Sequence, residues 1–151
     1  MKKINFKEVL LWLFVINLGI GVGAGLYESA LVVPEYPGTD PASWTNTGLA
    51  FWVYVTTVPL TLLTMANAFA AWKTRGPRRK WFIGAVLIVL LERIFTFSYF
   101  IPTMAGLMGT AGISQQEVDQ ILEQWMFLNH FRHVLSAAGF LAALKALTLQ
   151  K

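Results

Sequence analysis

Four predominantly apolar runs, each long enough to cross the hydrocarbon of a bilayer, constrain this chain more than any other feature. They extend from about Leu10 to Val33, Leu49 to Trp72, Trp81 to Ile101 and Trp125 to Leu149. A spanning helix needs about 20 predominantly apolar residues. Backbone amides in lipid must be satisfied within their own segment, which leaves the helix as the structure such runs adopt. Four spans use more than half of the 151 residues, of which 56% are hydrophobic and only 13% charged, against about 25% charged in soluble domains. The expected fold is a single all-α domain over residues 1–151, a transmembrane four-helix bundle with helices at about 10–33, 49–72, 81–101 and 115–149.

A net charge of +4 would suit nucleic acid if the basic residues shared a soluble face. They sit instead at the ends of the runs. Lys2, Lys3 and Lys7 precede the first; Lys73, Arg75, Arg78, Arg79 and Lys80 separate the second from the third; Lys145 and Lys151 close the fourth. The connections holding Glu35 and Asp40, and Glu117, Asp119 and Glu123, contain no Lys or Arg. Lys and Arg in short connections stay cytoplasmic, so the pattern predicts a multi-pass protein of the cell membrane with both termini inside. It offers no nucleic-acid face. The first run exceeds the roughly 7–15-residue apolar core of a signal peptide, so a retained helix is preferred to a cleaved one. The absence of cysteine excludes disulfides and thiolate chemistry, including Cys-x-x-Cys quinone reductases built on similar bundles.

Pro34, Pro37, Gly38 and Pro41 break the chain after the first run, and Ser43, Trp44 and Asn46 fit a loop at headgroup level. Ser114-Gln-Gln-Glu117 has the spacing of a capping box, so the fourth helix is expected to begin in water and enter the bilayer near Trp125. Pro59, inside the second run, predicts a kink and a freed carbonyl that a neighbouring helix must satisfy. Lipid gives no hydrophobic reward for helix association, so small residues must permit close approach. Gly19, Gly21, Gly23 and Gly25 in the first helix, with Ala138, Gly139, Ala142 and Ala143 in the fourth, predict that these two helices pack through their small residues.

Six polar residues interrupt the spans: Glu28, Glu92, Arg93, Asn129, Arg132 and His133. Each would cost up to roughly 2.5–3.5 kcal/mol facing lipid at mid-helix, so they are expected to face one another. On the fourth helix Trp125, Asn129, Arg132 and Ser136 form a stripe at about 100° per residue, with His133 on its shoulder and His130 turned aside. On the third, Arg93 is offset about 100° from Glu92, which predicts that ion pairs cross between helices, Arg132 to Glu28 or Glu92. Such a network could simply fix helix order. Intramembrane ionisable groups are nonetheless functional-site candidates, and here they converge with Tyr27, Tyr99 and Trp125. His130 and His133 with Glu28 and Glu92 could in principle ligate iron or zinc. The divergent angle of His130 and the two arginines argue against a metal, and His133 reads better as a proton carrier or a hydrogen-bonded structural group.

The run Glu92-Arg-Ile-Phe-Thr-Phe-Ser-Tyr-Phe-Ile-Pro-Thr103, followed by Trp125-Met-Phe-Leu-Asn-His-Phe-Arg132, resembles the DUF1772 family of four-helix membrane proteins, which includes the fungal anthrone oxygenases. The glycine-rich first helix ending in Tyr27 and Val32-Val-Pro34 fits as well. The resemblance implies oxidation of an anthrone to an anthraquinone without a bound organic cofactor, and it marks Asn129 and Arg132 as site residues. On this reading His133 or Glu92 is the base and Arg132 the partner of the substrate anion. Glu28, Arg93, Asn129, Tyr27, Tyr99 and Trp125 would surround a small planar apolar molecule entering from the outer leaflet, and membrane lipids are the other partner. The competing classes are a transporter or proton-coupled accessory subunit, which lacks an evident inverted repeat, and a non-catalytic scaffold.

Overall fold

A computed structural model of the protein describes residues 5–44, 47–109 and 112–149; Lys2, Lys3, Asn46 and Lys151 lie outside them. Every regular element among the described residues is helical. These elements join into α1 (Phe6–Glu35), α2 (Leu49–Trp72), α3 (Arg78–Gly109) and α4 (Gln115–Thr148). The first three are long and apolar enough to span a membrane, and the chain is a multi-pass membrane protein. α4 has 34 residues, roughly 50 Å at 1.5 Å per residue. It is less uniformly apolar because it carries Glu117, Asp119, Glu123, Arg132 and Lys145. As the sequence predicts, the Ser114 side chain caps it by accepting the Glu117 N–H.

The helices form a ring in which α1 and α3 each pack against both α2 and α4, with the α3–α4 seam the longest. Near the chain termini, Leu11, Phe14, Phe82, Ala85, Ala143 and Ala146 make a dry core. Lys7 Nζ reaches the Lys73 carbonyl across this end at 3.1 Å, which gathers the basic residues there. At the opposite, acidic end the first connection folds against α4: Gly38 N–H donates to Asp119 at 3.0 Å, and Trp44 stacks on Tyr36. The outer surface bears Trp12, Leu13, Leu62, Phe69, Leu87 and Ile94, all exposed, an apolar belt that suits lipid and not water.

Three helices share one distortion. The N–H groups of Val33, Val58 and Ile101 reach back five residues, to the carbonyls of Glu28, Val53 and Thr96. A proline follows directly in each case: Pro34, Pro59 and Pro102. Proline donates no hydrogen bond and its ring crowds the carbonyl four residues back; a widened turn relieves that crowding and lets the helix continue. α3 therefore runs on to Gly109, past the expected end near Ile101. The Val55 carbonyl, four residues before Pro59, accepts a 2.8 Å bond from Asn17 Nδ2 of α1, the neighbouring-helix partner that Pro59 required.

The glycines divide their work differently from the expected match of small residues on α1 and α4. A Cβ on Gly19 would meet the Phe140 ring at 3.3 Å, and one on Gly25 the His133 ring at 2.7 Å. Among the described residues Gly21 and Gly23 have no neighbour within 4 Å of such a Cβ, and Gly139 of α4 faces Val89 of α3 at 2.8 Å. Rings on α4 seat on bare α1 backbone, so α1 and α4 meet as glycine against ring. The close glycine contact of α4 serves α3.

Candidate functional site

The wide turns of α1, α2 and α3 begin at Glu28, Trp52 and Thr96, and the polar residues of the bundle collect around them. On α3, Arg93 grips Glu92 with both arms, Nε to Oε2 and Nη2 to Oε1, each at 2.7 Å. This corrects the expectation that the 100° offset of Arg93 from Glu92 sends their ion pairs to other helices: the arginine chain is long enough to fold back across that offset. Thr96 Oγ1 donates to Glu92 Oε1 at 3.0 Å. Glu92, which is buried, thus has both oxygens engaged, while Arg93 Nη1 is buried without a partner among the described residues.

The second pair crosses between helices, as expected for Arg132. Its Nη2 lies 3.9 Å from Glu28 Oε2, a loose contact for ions held away from water. The guanidinium lies over Phe100, 4.6 Å from the ring centre, with Trp125 at 5.9 Å. The Trp52 side chain hydrogen-bonds to Glu28. Trp125 is fixed in turn by its own indole N–H, which donates to the Phe100 carbonyl at 3.3 Å.

A serine that sequence reasoning did not single out joins α1 to α4. Asn129 Nδ2 donates to Ser29 Oγ at 3.1 Å, and the same hydroxyl meets His133 Nε2 at 2.6 Å. With one lone pair held by Asn129, the hydroxyl is free to donate its proton to Nε2. Bare Gly25, one turn away, gives the imidazole its seat. The only sequence signal was a small hydroxyl residue one position after Glu28.

Several hollows border this cluster, and three of them meet at Arg132. A chamber of about 40 Å³ is lined by Gly21, Gly25, Thr56, Glu92, Arg93 and His133, among others. That is room for one or a few water-sized molecules. A larger cavity of about 210 Å³ lies towards the acidic end between α2 and α3, with Glu28, Trp52, Thr96, Phe100 and Trp125 in its wall. A lipid-facing groove of about 790 Å³ runs between α3 and α4 along Phe95, Tyr99, Phe127 and Phe131. Arg132 is the one side chain among the described residues that lines all three.

The nine residues expected at the site are not all brought together. Glu28, Trp125 and Arg132 line the larger cavity, and Glu92, Arg93, Arg132 and His133 the smaller chamber. Asn129 is buried behind them, its Oδ1 without a partner among the described residues. Tyr99 sits in the lipid-facing groove. Tyr27 is 62% exposed and sits at the edge of the cluster, where it lines a further hollow of about 330 Å³ with Glu28 and Trp52. His130 is exposed and bonds to the Met126 carbonyl of its own helix at 2.7 Å. Among the described residues no three His, Cys, Asp or Glu side chains gather at one point, so His130, His133, Glu28 and Glu92 do not form one ligand set.

Among known proteins, the family described as anthrone oxygenase matches residues 54–142. That stretch runs from the wide turn of α2 into the last turns of α4; it includes Glu92, Arg93, Asn129, Arg132 and His133 and leaves out Glu28 and Ser29. No curated protein and no solved structure matches the chain.

Proposed function

Because the chain belongs to the anthrone oxygenase family, we propose that it is a membrane enzyme that binds a planar, weakly acidic aromatic molecule of the anthrone type beside Arg132 and oxidises its methylene to a ketone with dioxygen. The observation that carries this reading is Arg132 itself. Its guanidinium forms part of the wall of an aromatic cavity of about 210 Å³, and its nearest carboxylate stands 3.9 Å away, so it retains capacity for an anion. The cavity is smaller than the roughly 300–1,000 Å³ of drug-sized sites, which favours a compact flat guest packed between Trp52, Phe100 and Trp125.

In the reaction a base removes one methylene proton, and the resulting aromatic enolate is stabilised by Arg132. The carbanion carbon bonds to dioxygen, the terminal oxygen takes up a proton, and loss of water leaves the ketone. One oxygen atom enters the product, the other leaves as water, and the two hydrogens lost by the methylene balance it. Glu28 suits the base better than Glu92, because Glu28 lines the larger cavity whereas Glu92 is held by Arg93 and Thr96. His133, in the small chamber and hydrogen-bonded by Ser29, suits the later proton transfer, and the chamber has the size for dioxygen or water. An electron-rich enolate can react with oxygen directly, so the proposed reaction calls for no bound organic cofactor. The positive-inside pattern supports cytoplasmic termini and α4 as a fourth span, which places the larger cavity in the outward half.

The test is oxygen consumption by protein in liposomes given an anthrone. Stoichiometric uptake with quinone formation is expected, together with at least a tenfold fall in kcat/KM for Arg132→Lys, because an ammonium cannot lie flat over Phe100 as guanidinium does. Uptake that equals that of empty liposomes would leave the ion pairs as scaffolding.

A further inference from the structure

We infer that the basic end of the bundle carries a second, independent binding site for a phosphate-bearing anion. A cavity of about 420 Å³ at the α2–α3 connection is lined by Asn5, Lys7, Lys73, Arg75, Arg78 and Phe82, with Thr74 and Gly76 completing it. Four of these side chains are cationic and none is acidic. Topology alone accounts for lysines and arginines at a helix end, but such residues normally extend into water. Arg78 does not: it is only 6% exposed, and its Nε is buried with no acceptor among the described residues.

A buried guanidinium nitrogen without an acceptor is costly unless an anion completes it. The surrounding geometry supplies the rest of an anion site. Gly76, at φ 77°, turns the chain so that α3 begins at Arg78 beside the cavity, and the unpaired N–H groups of a first helical turn favour negative charge. Lys7 is drawn across from α1 by its bond to the Lys73 carbonyl, and Lys73 lies over the Phe69 ring at 4.1 Å. The cations thus come from α1, from α3 and from the α2–α3 connection, which suits an oxyanion approached from several sides. Basic pockets between helices at this level hold anionic lipid headgroups, and a free phosphate ion presents the same oxygens. This site lies at the other end of the bundle from Arg132 and stands whether or not the oxygenase reading does.

Native mass spectrometry of the purified protein with phosphatidylglycerol against phosphatidylcholine, and melting in inorganic phosphate, test the site and separate the two sources. The comparison protein is Lys73→Gln/Arg75→Gln, since both side chains are exposed and their loss spares the fold. If a lipid headgroup is the ligand, phosphatidylglycerol is retained preferentially, and the double variant loses about 25-fold in retention, about fivefold per cation near the surface. If the ligand is a soluble anion, inorganic phosphate raises the melting temperature of the wild type and not of the variant, with no preference between lipids. Equal behaviour of wild type and double variant towards both probes overturns the inference. Arg78→Gln, where it folds, is expected to lose the same response.

Discussion

Replacing Gly25 by alanine places a methyl group 2.7 Å from His133 Cε1 and 3.0 Å from Nδ1. Carbon atoms seldom approach within 3.4 Å, so the ring must retreat by about 0.7 Å, taking Nε2 away from its 2.6 Å contact with Ser29. Losing that bond costs about 0.5–1.5 kcal/mol, and overpacking at a helix contact adds about 1–3 kcal/mol. Against this, alanine gains up to about 1 kcal/mol of helix propensity over glycine. Gly23, two residues earlier, is exposed with nothing near a Cβ, so Gly23→Ala keeps the propensity gain without the clash. The two variants are therefore expected to differ by about 1.5–4.5 kcal/mol, or several degrees at roughly 2–4 °C per kcal/mol. Thermal melting of both in one detergent measures the difference. The ring resonances of His133 should shift in Gly25→Ala alone. Equal melting temperatures with an unmoved His133 signal would refute the seating of His133 on α1.

Asn17→Ala strands the Val55 carbonyl and should destabilise by about 1–3 kcal/mol. In a Pro59→Ala background, which restores the missing N–H, the same change should cost much less, and a double-mutant cycle of melting curves reads the coupling. At the acidic end, bonds from the Gly38 N–H and the Gln115 side chain hold the Asp119 carboxyl below the usual aspartate range. A carboxyl depressed on folding stabilises above its unfolded value, and that contribution is lost as pH falls through the lower folded value. Protection of the Gly38 amide from hydrogen exchange should thus persist at neutral pH and fade below about pH 4; Asp119→Asn should weaken it at neutral pH. The cysteine-free chain also allows single cysteines to report orientation: Arg75→Cys should react with a membrane-impermeant reagent only after the cytoplasmic face is opened, and Asp40→Cys in intact cells.

The apolar runs and the placement of Lys and Arg made the helical membrane architecture legible, because span length and backbone satisfaction leave few alternatives. The crossing of Arg132 to Glu28 was legible for a related reason: charges within spans must find one another. The pairing of Arg93 with Glu92 was not, since helical angle describes where a Cβ points and not how far a long side chain can bend back. Ser29 escaped notice because one serine in a glycine-rich helix reads as a packing residue, and only the positions of Asn129 and His133 reveal its role. Trp52 reads equally as a residue of the membrane interface. The wide turns had a sign in Pro34, Pro59 and Pro102, but proline alone predicts a kink; the bond from Asn17 that meets the Val55 carbonyl at Pro59 comes from another helix and is not legible in the run itself.

The most direct measurement of the central claim is a structure of the protein with an anthraquinone product bound in lipid nanodiscs. The guest should lie between α2 and α3 with one oxygen within hydrogen-bonding distance of Arg132 and its rings against Phe100 and Trp125. A guest confined to the lipid-facing groove along Phe127 and Phe131, or an empty cavity at saturating product, would contradict it.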